Sequence, residues 1–558
     1  MIRRNVKLGD LLVKEGYITH EELQKALAKQ QELKSKGIFK RLGEILADLG
    51  VIEEEILLKI LSQQLGVEFI DLYSEKMDYD LLTSFPVSLL EENLAIPFKE
   101  DENFIYIATA DPLNYDVFEM IERIVAKPSK LYIALSKDIL HIIENIKKYL
   151  KAKELIKKIR QDLNETAVLS TGAIDEFVDF ILKDAIDKRC TDLHIEPQKF
   201  NFLIRGRIDG VLNELFSFDK DIYSPLVSKI KLLSSLDISE KRKPQDGRFS
   251  KEYNGKTYDF RVSTAPVMHG ESVVLRILDQ EKILLKMNEL GMSEHNLKRF
   301  EHLIHLPYGM VFVTGPTGSG KTTTLYAALN ELKGPQKKII TVEDPVEYEL
   351  PLIQQIPVNY KIGLGFASVI KNILRQDPDI IMIGEVRDSD TLKTSTQAAL
   401  TGHLVLATLH TNDAISTVTR LIQMGAEPYM VAETMLGAVA QRLIRKICPY
   451  CKKIYKPEKA EIEKIKKYIK EENITFYKGS GCKMCNFTGY LGREMISEVL
   501  IITEEMTNLI AEGKERSAIL QLAKANGFIS MVEDAVFKLK KGVTTIEEIL
   551  RVVKIDSL

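Results

Sequence analysis

Residues Gly315-Pro316-Thr317-Gly318-Ser319-Gly320-Lys321-Thr322 fit the pattern G-x-x-x-x-G-K-[ST] in full. The pattern confines the chain around it to one arrangement, a buried strand running into a glycine-rich loop that opens a helix. The apolar run Met310–Thr314 supplies the strand, and the helix starts near Thr322. The glycines let backbone N–H groups curl around phosphate oxygens, and the helix N-terminus adds partial positive charge. Lys321 is placed to reach the β- and γ-phosphates of a nucleoside triphosphate. The Thr322 hydroxyl is placed to ligate a phosphate-bound Mg²⁺, and Thr323 beside it to bind the nucleotide.

A phosphate loop does not say what the nucleotide is used for, and its neighbours say more. The runs Ile339–Val342, Ile380–Ile383 and Leu404–Thr408 alternate with helical segments, which predicts a parallel sheet covered on both faces. Ligands of such sheets bind beyond the carboxyl ends of the strands. Glu343 and Asp344 end the first run, Glu385 follows the second, and His410 follows the third. A lone acid at a strand end is commonly a helix cap, so the convergence carries the argument. Hydrolysis needs a carboxylate that polarises the attacking water and others around the metal. Glu343 is assigned to the water and Glu385 to the metal shell, and the reverse assignment fits the sequence as well. His403 and His410 are sensor candidates. Packing is the competing reading, weaker for His410 because Thr411 and Asn412 flank it.

The 558 residues suggest three to five domains, at roughly 100–200 residues each. The 45% hydrophobic and 28% charged residues are a globular composition, and the net charge of -3 argues weakly against a nucleic-acid polymer as partner. No apolar run approaches the ~18 residues of a membrane span. Met1-Ile2-Arg3-Arg4 is not followed by an apolar stretch, so it does not read as a secretory signal. The expectation is a cytoplasmic protein.

The first 70 residues hold an internal repeat with an offset of 34. It relates Leu8-Gly9 to Leu42-Gly43, Leu12 to Leu46, Gly16 to Gly50, Leu23 to Leu57, Leu27 to Leu61 and Gln30 to Gln64. Each copy reads as helix, turn at glycine, helix. Residues 71–145 read as a small α/β domain, with a strand at Phe104–Ala108. Residues 138–163 read as a polar, solvated helix, and 146–171 as the linker that this helix enters. Residues 172–285 form a further α/β unit: a helix at Ile174–Arg189 and strands at Asp192–Glu196, Asn201–Ile208, Lys256–Ser263 and Ser272–Ile277, with turns at Asp209-Gly210 and Asn254-Gly255. Residues 286–558 carry the phosphate loop.

The segment Leu374 to Asp388, with Asp377-Pro378-Asp379 and Gly384-Glu385-Val386-Arg387, resembles the long signature of the secretion ATPase superfamily that powers type II secretion and type IV pilus assembly. Thr341–Tyr348 looks like that family's Asp box and Thr401–Asn412 like its His box. Thr191 to Pro197 and Phe260 to Thr264 are similar to hallmarks of its preceding domain. The resemblance covers nearly the whole chain. It implies a RecA-like ATPase core behind a PAS-like α/β domain, an N-terminal helical-repeat and α/β region, ATP and Mg²⁺ as ligands, and a homohexamer. It also implies that Arg207, Arg261 and Arg276 reach the phosphates, with surface ion pairs as the competing reading. Arg387 and Arg442 are further candidates. The implied partner is an inner-membrane platform protein, and through it pilin or pseudopilin subunits, with the ATPase peripheral to that membrane.

Cys448-Pro449-Tyr450-Cys451 and Cys482-Lys483-Met484-Cys485 are two knuckles with 30 residues between them. Four thiolates close a tetrahedral Zn²⁺ site with no open position. A redox role would need one Cys-x-x-Cys at a helix start rather than two. The insert is expected to fold as a small zinc lobe, about 446–492. Cys190 reads as buried at a helix end. The N-terminal repeat resembles the tandem cyclic di-GMP motif of some pilus and secretion ATPases, with Arg41, Leu42 and Gly43 opening the better-matching copy. The first copy departs in having Lys7, which lacks arginine's bidentate fork. A platform for a membrane-embedded partner is the competing reading. These features lead to a motor for pilus assembly, with a type II secretion motor as runner-up and a nucleotide-gated scaffold of negligible turnover as the reading from another class.

Overall fold

The structure, a computed structural model, describes residues 8–554 apart from 37–41, 50, 53, 73–74, 76, 166–170, 280–284, 458 and 470–473. The chain divides into two compact units, residues 1–182 with 218–230, and residues 183–217 with 231–558.

The first unit opens on the repeat. Helices Leu8–Lys14 and His20–Ser35 form one copy, and Leu42–Asp48 and Glu54–Leu65 the other. Packing explains the repeated residues. A Cβ on Gly9 would stand 2.7 Å from Leu23 Cδ1, and one on Gly43 2.7 Å from Leu57 Cδ2. Each Leu-Gly helix therefore meets the repeat's own leucine at its glycine. Leu12 and Leu46 are fully buried in the same core. Lys7, Arg41 and Gly50 lie outside the described residues.

A four-stranded sheet follows, in the order Glu68–Phe69, Ser129–Ile133, Ile105–Thr109, Ala95–Glu100. Ser136–Glu165 is one continuous helix, and the expectation of a solvated linker is corrected here. Ile139, Ile142, Ile143 and Ile146 enter the core of this sheet. Ala152, Leu155, Ile156 and Ile159 are buried as well. Their spacing of three and four residues makes an apolar stripe, and the basic residues take the other face.

The second unit holds two large sheets. One is antiparallel, in the order Val211–Asp219, Asn201–Ile208, Cys190–Pro197, Gly270–Asp279, Lys256–Val267, Gln245–Tyr253. The four strands expected from sequence are present, three of them longer than expected, and Val211–Asp219 and Gln245–Tyr253 are added. Asp209-Gly210 and Asn254-Gly255 turn their hairpins with φ of 47° and 87°, and 54° and 75°. Burial alternates along Asn201–Ile208, so one face of this sheet packs and the other carries polar side chains. Cys190 begins a strand rather than ending a helix; it is buried, and burial pushes its thiol up to about 12.

The other sheet has the order Ile353–Pro357, Ile339–Glu343, Ile380–Ile383, Leu404–Leu409, Gly309–Thr314, Met435–Ile447, Tyr490–Ile501. Pairing is parallel throughout except for the last strand, which runs antiparallel. Both faces are covered. Phe312, Val342, Ile381 and Ala407 face one core, and Val311, Val313, Met382 and Leu406 the other. The cysteine insert has a sheet of its own, Lys452–Tyr455 with Phe476–Gly479, yet Ile465 and Phe476 pack into the main core. Among the described residues, no helix is long and apolar enough to cross a membrane.

Candidate active site

Four neighbouring parallel strands deliver the expected chemistry to one edge of the sheet. In spatial order their carboxyl ends carry Glu343, Glu385, His410 and the phosphate loop. The loop leaves Thr314 and enters the helix Lys321–Leu332. Gly315 takes φ 147°, and a Cβ there would stand 2.5 Å from the Gln441 carbonyl oxygen, so only glycine fits. Pro316, Thr317 and Gly318 are exposed at the loop's tip while Ser319 is buried beneath it. Gly320 is the N-cap, at φ 88°. Lys321 Nζ donates to the carbonyls of Gly315 (2.8 Å) and Pro316 (3.1 Å), which holds the ammonium at the mouth of the loop. Burial pulls its pKa below the ordinary lysine value, and the nearby Glu385 carboxylate opposes that shift. Thr322 and Thr323 are exposed in the first turn.

Two residues that sequence reasoning passed over fix this loop. The fully buried Gln441, from the strand Met435–Ile447, donates from Nε2 to the Ser319 carbonyl (2.8 Å) and accepts at Oε1 from the Thr324 hydroxyl (2.8 Å). Thr314 donates to the Leu409 carbonyl (3.0 Å), and its Oγ1 accepts from the N–H of Thr411 (2.8 Å), which locks the segment after His410 to the loop's own strand. Gln441 carries no motif signal, since it sits in a run that reads as core.

The two candidate glutamates differ in setting. Glu343 is buried; Oε2 accepts from the Tyr326 hydroxyl, and Oε1 from Thr341 Oγ1 (2.6 Å) and Gln355 Nε2 (3.1 Å). Glu385 is more open; Oε1 lies 3.0 Å from His410 Nε2, and Oε2 accepts from Arg387 Nε at 2.7 Å. Arg387 also stands 4.0 Å from Asp344 Oδ2, so Asp344, Glu385, Arg387 and His410 form one cluster. His403 is not part of it. It precedes Leu404 at the opposite end of the strand that His410 follows, and its Nδ1 contacts the Ala398 carbonyl (2.9 Å) and Thr401 Oγ1 (3.1 Å). A strand rises about 3.3 Å per residue, so the two histidines sit at opposite edges of the sheet. The sensor expectation for His403 is corrected on that ground.

The arginines of the antiparallel sheet fall in register. Arg207 pairs with Asp192, Asp192 with Arg276, Arg276 with Arg261, and Arg261 with Arg248. The row places four guanidiniums and one carboxylate across five strands, and sequence reasoning missed Arg248. Like charges directly opposite repel, which suits the row to an anion. Arg207 and Arg276 lean on Asp192 at 3.7 and 3.3 Å. Arg261 reaches further, donating to the Val346 carbonyl (3.2 Å) and pairing with Glu347 (2.7 Å) in the Asp-box segment. Arg442 bonds the Val552 carbonyl (3.0 Å) and Asn412 Oδ1 (3.3 Å), beside His410.

The four knuckle cysteines come together, all their sulfurs lying within 4.8 Å of one another. Cys448–Cys482, Cys482–Cys485 and Cys451–Cys485 stand 3.7, 3.7 and 3.9 Å apart, too far for disulfides. A tetrahedral ion with metal–sulfur bonds of about 2.3 Å has sulfur–sulfur edges of about 3.8 Å, so the quartet has the size of such a site.

Comparison with known proteins agrees with this geometry. Residues 168–551 match the family model described as type II/IV secretion system protein, and residues 65–152 match the MshEN domain. The chain is 39% identical to the type IV pilus assembly ATPase PilB of Myxococcus xanthus, over 98% of each protein. It is 46% identical to the type II secretion system protein HxcR of Pseudomonas aeruginosa, over 71% of this chain and 82% of that one. Among solved structures, the ATPase DotB of Yersinia pseudotuberculosis shares the fold with a TM-score of 0.52 at 21% identity, over 68% of this chain and 93% of that one. The chain therefore belongs to the type II/IV secretion system protein family and is a phosphate-loop ATPase of the kind that drives secretion and pilus machines.

Proposed function

We propose that this ATPase is the assembly motor of a type IV pilus, acting as a cytoplasmic homohexamer at the inner membrane on a platform protein that passes its work to pilin subunits. The observation that carries the reading is the match to a pilus assembly ATPase over 98% of both chains, N-terminal region included. A type II secretion motor acting on pseudopilins is the second reading, favoured by the higher identity of 46% across 71% of the chain. Deleting the gene in its host and scoring surface filaments against secreted proteins tests the choice. Loss of filaments with secretion intact supports the first reading; the opposite result replaces it with the second. A scaffold that binds nucleotide without turnover conflicts with the two glutamates placed beside the loop. The domain boundaries at 70 and 285 are part of the same proposal.

The chemistry follows from the residues. The backbone N–H groups of Gly315 to Gly320, except Pro316, which has none, hold the phosphates, and Lys321 neutralises the β- and γ-oxygens. Thr322 and Glu385, both at the mouth of the loop, fit a Mg²⁺, with Thr323 and Asp344 nearby; the ion supplies further charge neutralisation there. A carboxylate has about four acceptor sites. Three on Glu343 are taken by Tyr326, Thr341 and Gln355, and one on Oε2 remains for a water. Glu343 takes that water's proton as its oxygen bonds to the γ-phosphorus. The bond from that phosphorus to the β–γ bridging oxygen breaks, leaving ADP and phosphate. His410, paired with Glu385, senses the γ-phosphate. Arg207, Arg261 and Arg276 bring positive charge to the phosphates from the antiparallel sheet.

Zn²⁺ is the ion we assign to Cys448, Cys451, Cys482 and Cys485, in a closed structural role. The N-terminal repeat is proposed to bind cyclic di-GMP at Arg41, Leu42 and Gly43. The contact of Gly43 with Leu57 accounts for that glycine by packing alone, so calorimetry must decide. Heat of binding that Arg41→Ala weakens supports the site, and no heat at saturating ligand favours a docking platform.

A further inference from the structure

A hydrogen-bonded side-chain cluster beside the loop joins Tyr326, Thr341, Glu343 and Gln355. Tyr326 stands in the phosphate-loop helix, in a stretch that reads as ordinary core, and is 2% exposed. Its hydroxyl donates to Glu343 Oε2 and accepts from the backbone N–H of Glu347 (3.3 Å), with Gln355 Nε2 3.4 Å away. The other two donors to Glu343 come from the sheet. Thr341 lies two residues before Glu343 on the same face, and Gln355 pairs with Thr341 in register on the next strand. Gln355 is itself held, donating to the Tyr348 carbonyl (3.0 Å) and accepting at Oε1 from the N–H of Leu350 (2.7 Å). The tilt of the Glu343 carboxylate is thus set by three neutral donors from three elements. No formal charge on them competes with Glu343 for the proton it is to accept. The same hydroxyl touches the segment whose Glu347 pairs with Arg261.

We infer that Tyr326 is a positioning residue of the hydrolytic step: its hydroxyl aims the Glu343 carboxylate at the attacking water and ties the phosphate-loop helix to the segment that holds Arg261. The inference rests on the reading of Glu343 as the water-activating group. A misaimed base costs turnover without costing nucleotide binding, because proton transfer depends on hydrogen-bond reach and the phosphate contacts lie elsewhere.

The experiment compares steady-state ATP hydrolysis by the full-length protein as wild type, Tyr326→Phe, Glu343→Gln and the double variant. Tyr326→Phe keeps the ring in its core and removes one oxygen. The expected result is a fall in kcat of about tenfold or more, with KM for ATP within about twofold. In the Glu343→Gln background the same change is expected to have no further effect, since the group being aimed is gone. Thr341→Val removes a second donor at nearly constant shape; the same split and the same absorption are expected, and it carries the test should Tyr326→Phe not fold. Wild-type kcat in both single variants overturns the inference, as does an equal loss in both backgrounds, which marks a merely structural role. Full turnover by Glu343→Gln alone overturns the reading beneath it, a result distinguishable from either.

Discussion

Gln441 donates to the carbonyl of Ser319 at 2.8 Å from the strand on the far side of the phosphate-loop strand. Its other amide atom takes the Thr324 hydroxyl, so one buried side chain clamps the loop and the helix that follows it. The loop's shape therefore depends on a strand that carries no recognised motif.

Gln441→Leu keeps the volume and leaves the Ser319 carbonyl and the Thr324 hydroxyl without their partner. An unmet buried polar group costs about 1–3 kcal/mol. ATP binding, measured by a fluorescent analogue, is expected to weaken about tenfold or more, with a smaller effect on unfolding by urea. Unchanged affinity would show that the loop holds its form without the clamp.

Arg261 bridges to Glu347 and the Val346 carbonyl through its forked donors. Arg261→Ala is expected to lower kcat/KM about 10³-fold or more, the lower end of the range for arginines that stabilise a transferring phosphoryl group. Arg261→Lys keeps the charge and loses the fork, so it should restore little. Full rescue by lysine would reduce the role of Arg261 to charge alone.

The cysteine quartet predicts about one Zn per chain by elemental analysis. Cys482→Ser should release the metal and lower the melting temperature, because Ile465 and Phe476 of the same insert belong to the main core. A fully folded, metal-free wild type would overturn the assignment.

Glu498 sits under two helix starts, accepting from the N–H of Ala414 (2.7 Å) and of Met531 (2.8 Å). Burial pushes its carboxyl up to about 7 from an ordinary 4.5. With the folded pKa above the unfolded one, the folded chain keeps a proton that the unfolded chain releases in that window. The stability this group lends is therefore full below the unfolded value and declines as pH rises towards 7. The urea midpoint is expected to fall between about pH 4.5 and pH 7, and to fall less in Glu498→Gln. Equal slopes for the two proteins would contradict this placement of the proton.

Much of the ATPase half was legible in the residues. The runs before Gly315, Glu343, Glu385 and His410 are almost wholly apolar, with threonine as their one polar residue type, as suits strands buried on both faces, and their polar ends mark one edge. Met435–Ile447 was not legible. Its Ala, Leu, Gln, Arg and Lys suit a helix, and pairing with Gly309–Thr314 on one side and Tyr490–Ile501 on the other overrides that preference. Gln441 was hidden with it. Tyr326 and Gln355 were missed because a polar atom in a core position declares its partner only in three dimensions. The helix Ser136–Glu165 misled through its lysines, which outnumber the isoleucines in composition but not on the face that packs. His403 misled through its nearness to His410 in sequence, which a strand turns into distance. The arginine row became visible only through register, which sets Arg248 opposite Arg261.

The central claim is that this chain hydrolyses ATP with Glu343 acting on the water beside the loop of Lys321. Phosphate release by the purified full-length protein, wild type against Glu343→Gln, tests it most directly. The account predicts steady turnover by the wild type and a loss of about 10²-fold or more in the variant, with ATP still bound. Equal rates in the two proteins, or no turnover in either at saturating ATP and Mg²⁺, would contradict it.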